Sequence, residues 1–188
     1  MSAPRVIAGA YRGRSLKVPR GSVTRPTAAR VREALFNMLG DLSGANVLDL
    51  YAGSGALALE ALSRGAARAV VVERDRSALA CIRDNVALLE VTERVAIVPL
   101  ALPRALGPAL AHRPFDLVFC DPPWADLEQA CATLVELAGS SGLGPEARVV
   151  LEHSAKDREP IVSGLRATER RAWGDTAVLF LTKGGDEE

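Results

Sequence analysis

The sequence predicts an α/β fold built on a mostly parallel sheet, and three observations carry the prediction. From residue 45 onward, short runs of Val, Ile and Leu alternate with segments of helical period. The glycine stretch Gly53-Ser54-Gly55 ends the first run and opens the first helical segment of that series. The alternation stops only near the end, where two apolar runs meet at Gly174-Asp175. Parallel strands need crossovers and, when buried on both faces, read as continuous apolar runs, so βαβ units are expected.

Taken in order, residues 5–19 have short apolar stretches around Gly9 and Gly13, which predicts a short β-hairpin. Over 26–39 the period changes: Ala28, Val31, Leu35, Met38 and Leu39 recur at helical spacing, Pro26 suits a first turn and Gly40 a stop. Strands are expected near 46–50, 69–73, 95–99, 115–120 and 147–152, with helices near 56–64, 75–89 and 125–138. The runs 165–173 and 176–182 read as an antiparallel hairpin at the sheet edge. The expected organisation is a basic extension over 1–40, a main domain over 41–183 and a frayed polar end over 184–188.

A chain of 188 residues with 48% apolar content suits one domain with a substantial core. No window reaches the length of a membrane span, and the first twenty residues lack the apolar centre of a secretory signal. Three cysteines without a C-x-x-C pair suggest neither a disulfide framework nor a metal site, so no metal is expected and a reducing cytoplasm fits. His112 and His153 read as surface or packing residues.

The zero formal charge conceals an asymmetry. Residues 1–32 carry eight cations and no acid, leaving fifteen basic against twenty-three acidic residues in the rest. Such a run repels itself unless an anion binds there.

The stretch Val47-Leu48-Asp49-Leu50-Tyr51-Ala52-Gly53-Ser54-Gly55 places a carboxylate where a buried strand should be most apolar. Gly53 to Ala58 fits G-x-G-x-x-G/A, and Glu73 follows about twenty residues on, at the end of the second strand. Two ligands satisfy that pattern. A pyrophosphate suits the helix N-terminus but is opposed by Asp49. S-adenosylmethionine brings an ammonium and a sulfonium for Asp49 and ribose hydroxyls for Glu73.

Asp121-Pro122-Pro123-Trp124 follows the fourth strand. Ligands of open α/β sheets sit beyond the strand ends where the strand order reverses, so this tetrapeptide should face the glycine loop. Two prolines fix φ and remove two donors, leaving carbonyls beside the Asp121 carboxylate. An exocyclic amine of a nucleobase would donate to these acceptors, and Trp124 would stack on the ring. In a chain with 4% aromatics a Trp at this place is informative.

"DLYAGSG", "VERD" and "DPPW" together resemble the class I methyltransferases that act on exocyclic amines. The segment "RVIAGAYRGRSLKVP…RPTAARVREALFNML" closely resembles the bacterial family that methylates the N2 amine of guanine 966 in 16S ribosomal RNA. The resemblance implies a Rossmann-like, seven-stranded sheet, S-adenosylmethionine as donor, and small ribosomal subunits or their precursors as substrate; a monomer is expected. It implies a catalytic set of Asp121, Pro122, Pro123 and Trp124, and a cofactor set of Asp49, Tyr51, Ala52, Gly53, Ser54, Gly55, Glu73, Arg74 and Leu100. Ribosomal RNA would meet Arg5, Arg12, Arg14, Lys17, Arg20, Arg25 and Arg30, although the stretch that carries Arg25 and Arg30 could also fold over the cofactor pocket and serve both. Relatives often have Asp or Asn at the end of the third strand; here Leu100 has no side-chain acceptor, which leaves adenine to backbone groups and packing.

Other readings stay open on the residues alone. Adenine-N6 or protein-glutamine methylation uses a similar tetrapeptide, although the glutamine enzymes favour Asn at its first position. A nicotinamide oxidoreductase would leave Asp121 to Trp124 idle. A noncatalytic RNA-binding module would use only the basic segment.

Overall fold

The computed structural model describes residues 4–19 and 26–184. Among the described residues five helices, α1 (Pro26–Leu39), α2 (Ala56–Ser63), α3 (Arg76–Leu88), α4 (Leu106–Leu110) and α5 (Leu127–Ala138), accompany seven strands. These are β1 (Asn46–Asp49), β2 (Arg68–Val72), β3 (Val95–Val98), β4 (Phe115–Cys120), β5 (Leu143–Ser154), β6 (Leu165–Trp173) and β7 (Thr176–Lys183). They form one sheet in the order β3-β2-β1-β4-β5-β7-β6. β3, β2, β1, β4 and β5 run parallel, and β7 joins β5 and β6 antiparallel.

Because successive strand residues face opposite ways, Val47 and Leu48 enter different cores. On one face Val47 and Phe119 pack with Leu35 and Phe36 of α1, Leu59 of α2 and Ile82 of α3. On the other, Leu48 and Val118 pack with Leu106 of α4 and Leu134 of α5. Helices on both faces explain why the parallel strands read as unbroken apolar runs. The order reverses between β1 and β4, so the ends of those strands flank the crevice.

The expected helix over 26–39 begins at Pro26 and stops before Gly40, whose φ is +67°. Asp75 caps α3 by accepting from the amides of Ser77 and Ala78 at 2.9 Å each.

The structure also corrects the sequence reading. α4 fills a crossover where no helix was expected, its five residues being too few to display a period. β5 starts at Leu143, ahead of the expected 147, after a register shift between Phe115 and Leu117 of its partner β4. The N-terminal hairpin is reduced to one antiparallel bridge, Arg5 to Ser15, because the amides of Ile7 and Ala8 donate to the Glu60 carboxylate of α2, at 2.7 and 3.1 Å.

Candidate active site

Beyond Asp49 the chain turns through Gly53 (φ +55°) and Gly55 (φ +80°) into α2. Three contacts fix this loop. The Ala52 amide donates to the Val72 carbonyl at 3.0 Å, the Gly53 amide to Glu73 Oε2 at 2.8 Å, and Asn85 Nδ2 to the Ser54 carbonyl at 3.0 Å. Glu73 Oε1 also accepts the amides of Arg74 and Asp75, at 2.7 and 2.8 Å.

Two cavities open at the strand ends. The smaller, about 410 Å³, is lined by Glu73, Arg74, Leu100, Leu102 and Gln129 among others. The larger, about 800 Å³, lies under α1 and is lined by Arg32, Trp124, Glu152 and Trp173 among others. Tyr51, Gly53, Asp121, Pro122 and Pro123 line both. A ligand in one cavity therefore meets a ligand in the other at the Asp121 tetrapeptide.

Asp49 lines neither cavity. It lies fully buried beneath the loop, and neither carboxylate oxygen has a hydrogen-bond partner among the described residues. The amides of Tyr51 and Ala58 are near enough to favour its charge without reaching bonding geometry. Burial first, then the Asp121 charge, pushes its carboxyl up to about 7. Asp121 is open to the cavity, yet the protein atoms crowded around it strip water from its carboxyl and raise it to about 6. Burial holds the Tyr51 phenol and the Cys120 thiol well above their usual values, so Cys120 is a packing residue.

Pro122 is buried and its carbonyl accepts no hydrogen bond within the described residues. Pro123 is exposed, and its carbonyl accepts the Asp126 amide at 2.7 Å, which closes a single helical turn over Trp124–Asp126. That turn leaves Trp124 46% exposed at the rim of the larger cavity. Ala52 and Ser54 line the larger cavity, Gly55 stands behind them at the start of α2, and Leu100 is 42% exposed in the smaller one. Arg74 Nη2 reaches toward Asp126 Oδ2 at 3.5 Å.

The basic residues are dispersed. Arg5, Arg12 and Arg14 are exposed on the N-terminal loop, whose tip meets the far end of α2, where the Ala10 amide donates to the Ser63 carbonyl at 2.8 Å. Lys17 pairs with Asp84 at 2.8 Å, which raises its pKa. Arg30 is exposed on α1, beside the larger cavity, while Arg20 and Arg25 lie outside the described residues. His153 is fully buried and His112 exposed, matching a packing and a surface role. Among the described residues no cluster of His, Cys, Asp or Glu is arranged to hold a metal.

Sequence reasoning missed several residues. Glu152 interrupts an apolar run in "VVLEHS", the same signal that singled out Asp49, and it was readable. Trp173 is one of only two tryptophans and stands next to a turn, so it too carried a signal. Arg32 and Gln129 stand on helices, and nothing local distinguishes them from solvated neighbours.

The sequence profile of one family runs through all of these elements, from residue 4 to residue 182. The chain belongs to the family described as conserved hypothetical protein 95. The chain is similar to the ribosomal RNA small subunit methyltransferase D of Escherichia coli K12, 38% identical over 161 residues, covering 84% of this chain and 78% of the relative. YlbH of Bacillus subtilis strain 168 is 37% identical over 185 residues, covering 96% of this chain and all of that protein. The solved structure of the Escherichia coli protein yhhF superposes with a TM-score of 0.79 at 36% identity, covering 96% of this chain and 97% of the other. The family's sheet, with its alternating helices and C-terminal antiparallel hairpin, is the Rossmann-like fold of class I methyltransferases.

Proposed function

We propose that this protein methylates the N2 amine of a guanine in 16S ribosomal RNA, guanine 966, with S-adenosylmethionine as donor. The observation that carries the reading is the meeting of two cavities at Asp121-Pro122-Pro123. Both the relative from Escherichia coli, named for ribosomal RNA, and the N-terminal segment's resemblance support the choice of substrate.

The residues around the smaller cavity fit the cofactor. Glu73 Oε2 spends one lone pair on Gly53 and retains capacity for a ribose hydroxyl. Gln129 donates Nε2 to the Leu102 carbonyl at 2.7 Å, which leaves its amide oxygen as an acceptor on the wall where Leu100 offers none. Asp49, its oxygens orphaned beneath the loop, would ionise and supply negative potential there once a cationic ligand is bound. When bound there, S-adenosylmethionine would supply a methyl group activated by its sulfonium to the amine held by Asp121 and the Pro122 carbonyl.

On the larger side, Asp121 and the free Pro122 carbonyl are the acceptors for the two N–H groups of the amine. Held this way, the nitrogen is turned out of conjugation with the ring, and its growing positive charge lies beside a carboxylate. Its surplus proton leaves after transfer, through the Asp121 oxygen or directly to water. Trp124 replaces the stacking that the base loses on leaving its RNA neighbours.

The test is transfer of labelled methyl groups to small subunits from a strain lacking the gene, with the modified nucleoside identified and mapped. Label on N2 of guanine 966 is the expected result. Label elsewhere, or only on protein, overturns the reading.

A further inference from the structure

We infer that Glu152 is the specificity-determining residue that reads the guanine ring by accepting a hydrogen bond from its N1–H. This rests on the guanine-N2 reading above. Three features support it. The register pairs Cys120 with Leu151, so the next residues, Asp121 and Glu152, emerge together from adjacent parallel strands. Both line the larger cavity. The Glu152 carboxylate has no hydrogen bond or ion pair among the described residues, although the residue is mostly shielded, and its strand partner Val178, with Val150 two residues earlier on its own strand and Phe119 paired to Val150, presents apolar walls to the same cavity.

An unpartnered carboxylate in such walls is costly unless a ligand completes it. Burial, and then the Asp121 charge, push its carboxyl up to about 8 in the unliganded protein, and an N–H donor placed against it favours the ionised, accepting form. Guanine presents three donors along one edge: N1–H and the two N–H groups of N2. The cavity offers three acceptors on that side: Glu152, Asp121 and the Pro122 carbonyl. Adenine, which presents a bare ring nitrogen beside its amine, would set that lone pair against the Glu152 carboxylate. A site built to bond an N–H strongly rejects the analogue lacking it, because its own polar group is left unpaired.

The probe is 2-aminopurine, which keeps the C2 amine but has a bare N1. Small subunits are reconstituted with guanine or 2-aminopurine at the target position, and kcat/KM is compared at about pH 8.5, above the value to which the Glu152 carboxyl is raised. The wild type is expected to prefer guanine by at least about a hundredfold. In Glu152→Gln the amide can turn either its oxygen or its nitrogen to the ring, so that preference falls at least about tenfold. Glu152→Ala loses activity on guanine without gaining preference for either base. S-adenosylmethionine affinity, measured by calorimetry, stays within about twofold in Glu152→Gln and shows that the variant is folded. Guanine N2 methylated with an unchanged base preference in Glu152→Gln overturns the assignment alone. A wild type that leaves guanine N2 unmodified overturns it together with the reading beneath it.

Discussion

Asn85 Nδ2 donates to the Ser54 carbonyl at 3.0 Å while its Oδ1 accepts the Lys17 amide at 2.7 Å, so one fully buried amide ties the glycine loop to the N-terminal segment. Replacing it with Leu leaves the Lys17 amide and the Ser54 and Lys17 carbonyls unmatched. Each such orphan costs about 1–3 kcal/mol. Asn85→Leu is expected to lower the melting temperature and to weaken S-adenosylmethionine binding about tenfold or more by calorimetry. Unchanged affinity would show that the loop holds its shape without Asn85.

Asp49 makes the apoprotein's stability depend on pH. Its folded carboxyl is raised from 3.8 to about 7, with Asp121 and Glu73 as the facing charges, so the native state holds this proton more tightly than the unfolded chain. The stabilisation is full below about pH 4 and is lost as pH rises through about 7. The charged form is disfavoured by roughly 4 kcal/mol at most. Asp49→Asn cannot ionise, so the variant's melting temperature relative to wild type should climb between pH 5 and pH 8 in scans without cofactor. A pH-independent difference would remove Asp49 as the source. The same variant should bind S-adenosylmethionine more weakly.

Asp121→Ala should abolish methyl transfer and leave S-adenosylmethionine affinity within a few-fold, because the proposed partner of Asp121 is the amine. Near-normal turnover would sink that mechanism. Trp124→Ala should weaken substrate use by ~1–3 kcal/mol, the worth of a base–aromatic stack, whereas Trp124→Tyr should be mild. Equal damage from both would indicate packing.

Gly9 touches the far end of α2 so closely that an added Cβ would lie 1.8 Å from the Ser63 carbonyl oxygen, and its φ is +82°. Gly9→Ala must therefore lift the N-terminal loop off α2 and strand Glu60. Proteolysis within residues 5–17 should quicken markedly, while the same treatment of Gly13→Ala, whose Cβ would meet nothing within 4 Å, should change less. Equal protection in Gly9→Ala would contradict the docking.

Neutralising Arg12 and Arg14 together should weaken binding to small subunits and flatten its salt dependence, by roughly 0.7–0.9 in log–log slope for each lost phosphate contact. Cofactor affinity should hold, since neither arginine lines either cavity. A wild-type slope would place RNA recognition elsewhere.

The parallel sheet, the switch point and the two motifs were legible because each leaves a local mark: an apolar run, a glycine turn, a carboxylate at a strand end. Asp121 and Glu73 could be placed from those marks alone. Glu60 and Asn85 could not, because their partners Ile7 and Lys17 lie 53 and 68 residues away and no local periodicity encodes such a pairing. Nor did the sequence separate Lys17 from its basic neighbours, although Asp84 already holds it. The C-terminal hairpin stands at the sheet edge as expected, but its strand order was not legible: β7 lies between β5 and β6, and the turn joining β6 to β7 sets Trp173 and Asp175 on the cavity wall.

That placement has an optical consequence. The chain has two tryptophans, Trp124 and Trp173, and both line the larger cavity from different ends of the sequence. Intrinsic tryptophan emission from this protein thus originates entirely in one chamber, and quenching by acrylamide or a shift in wavelength reports what enters it. Without any label, a fluorimeter can follow the arrival of a nucleobase in that chamber.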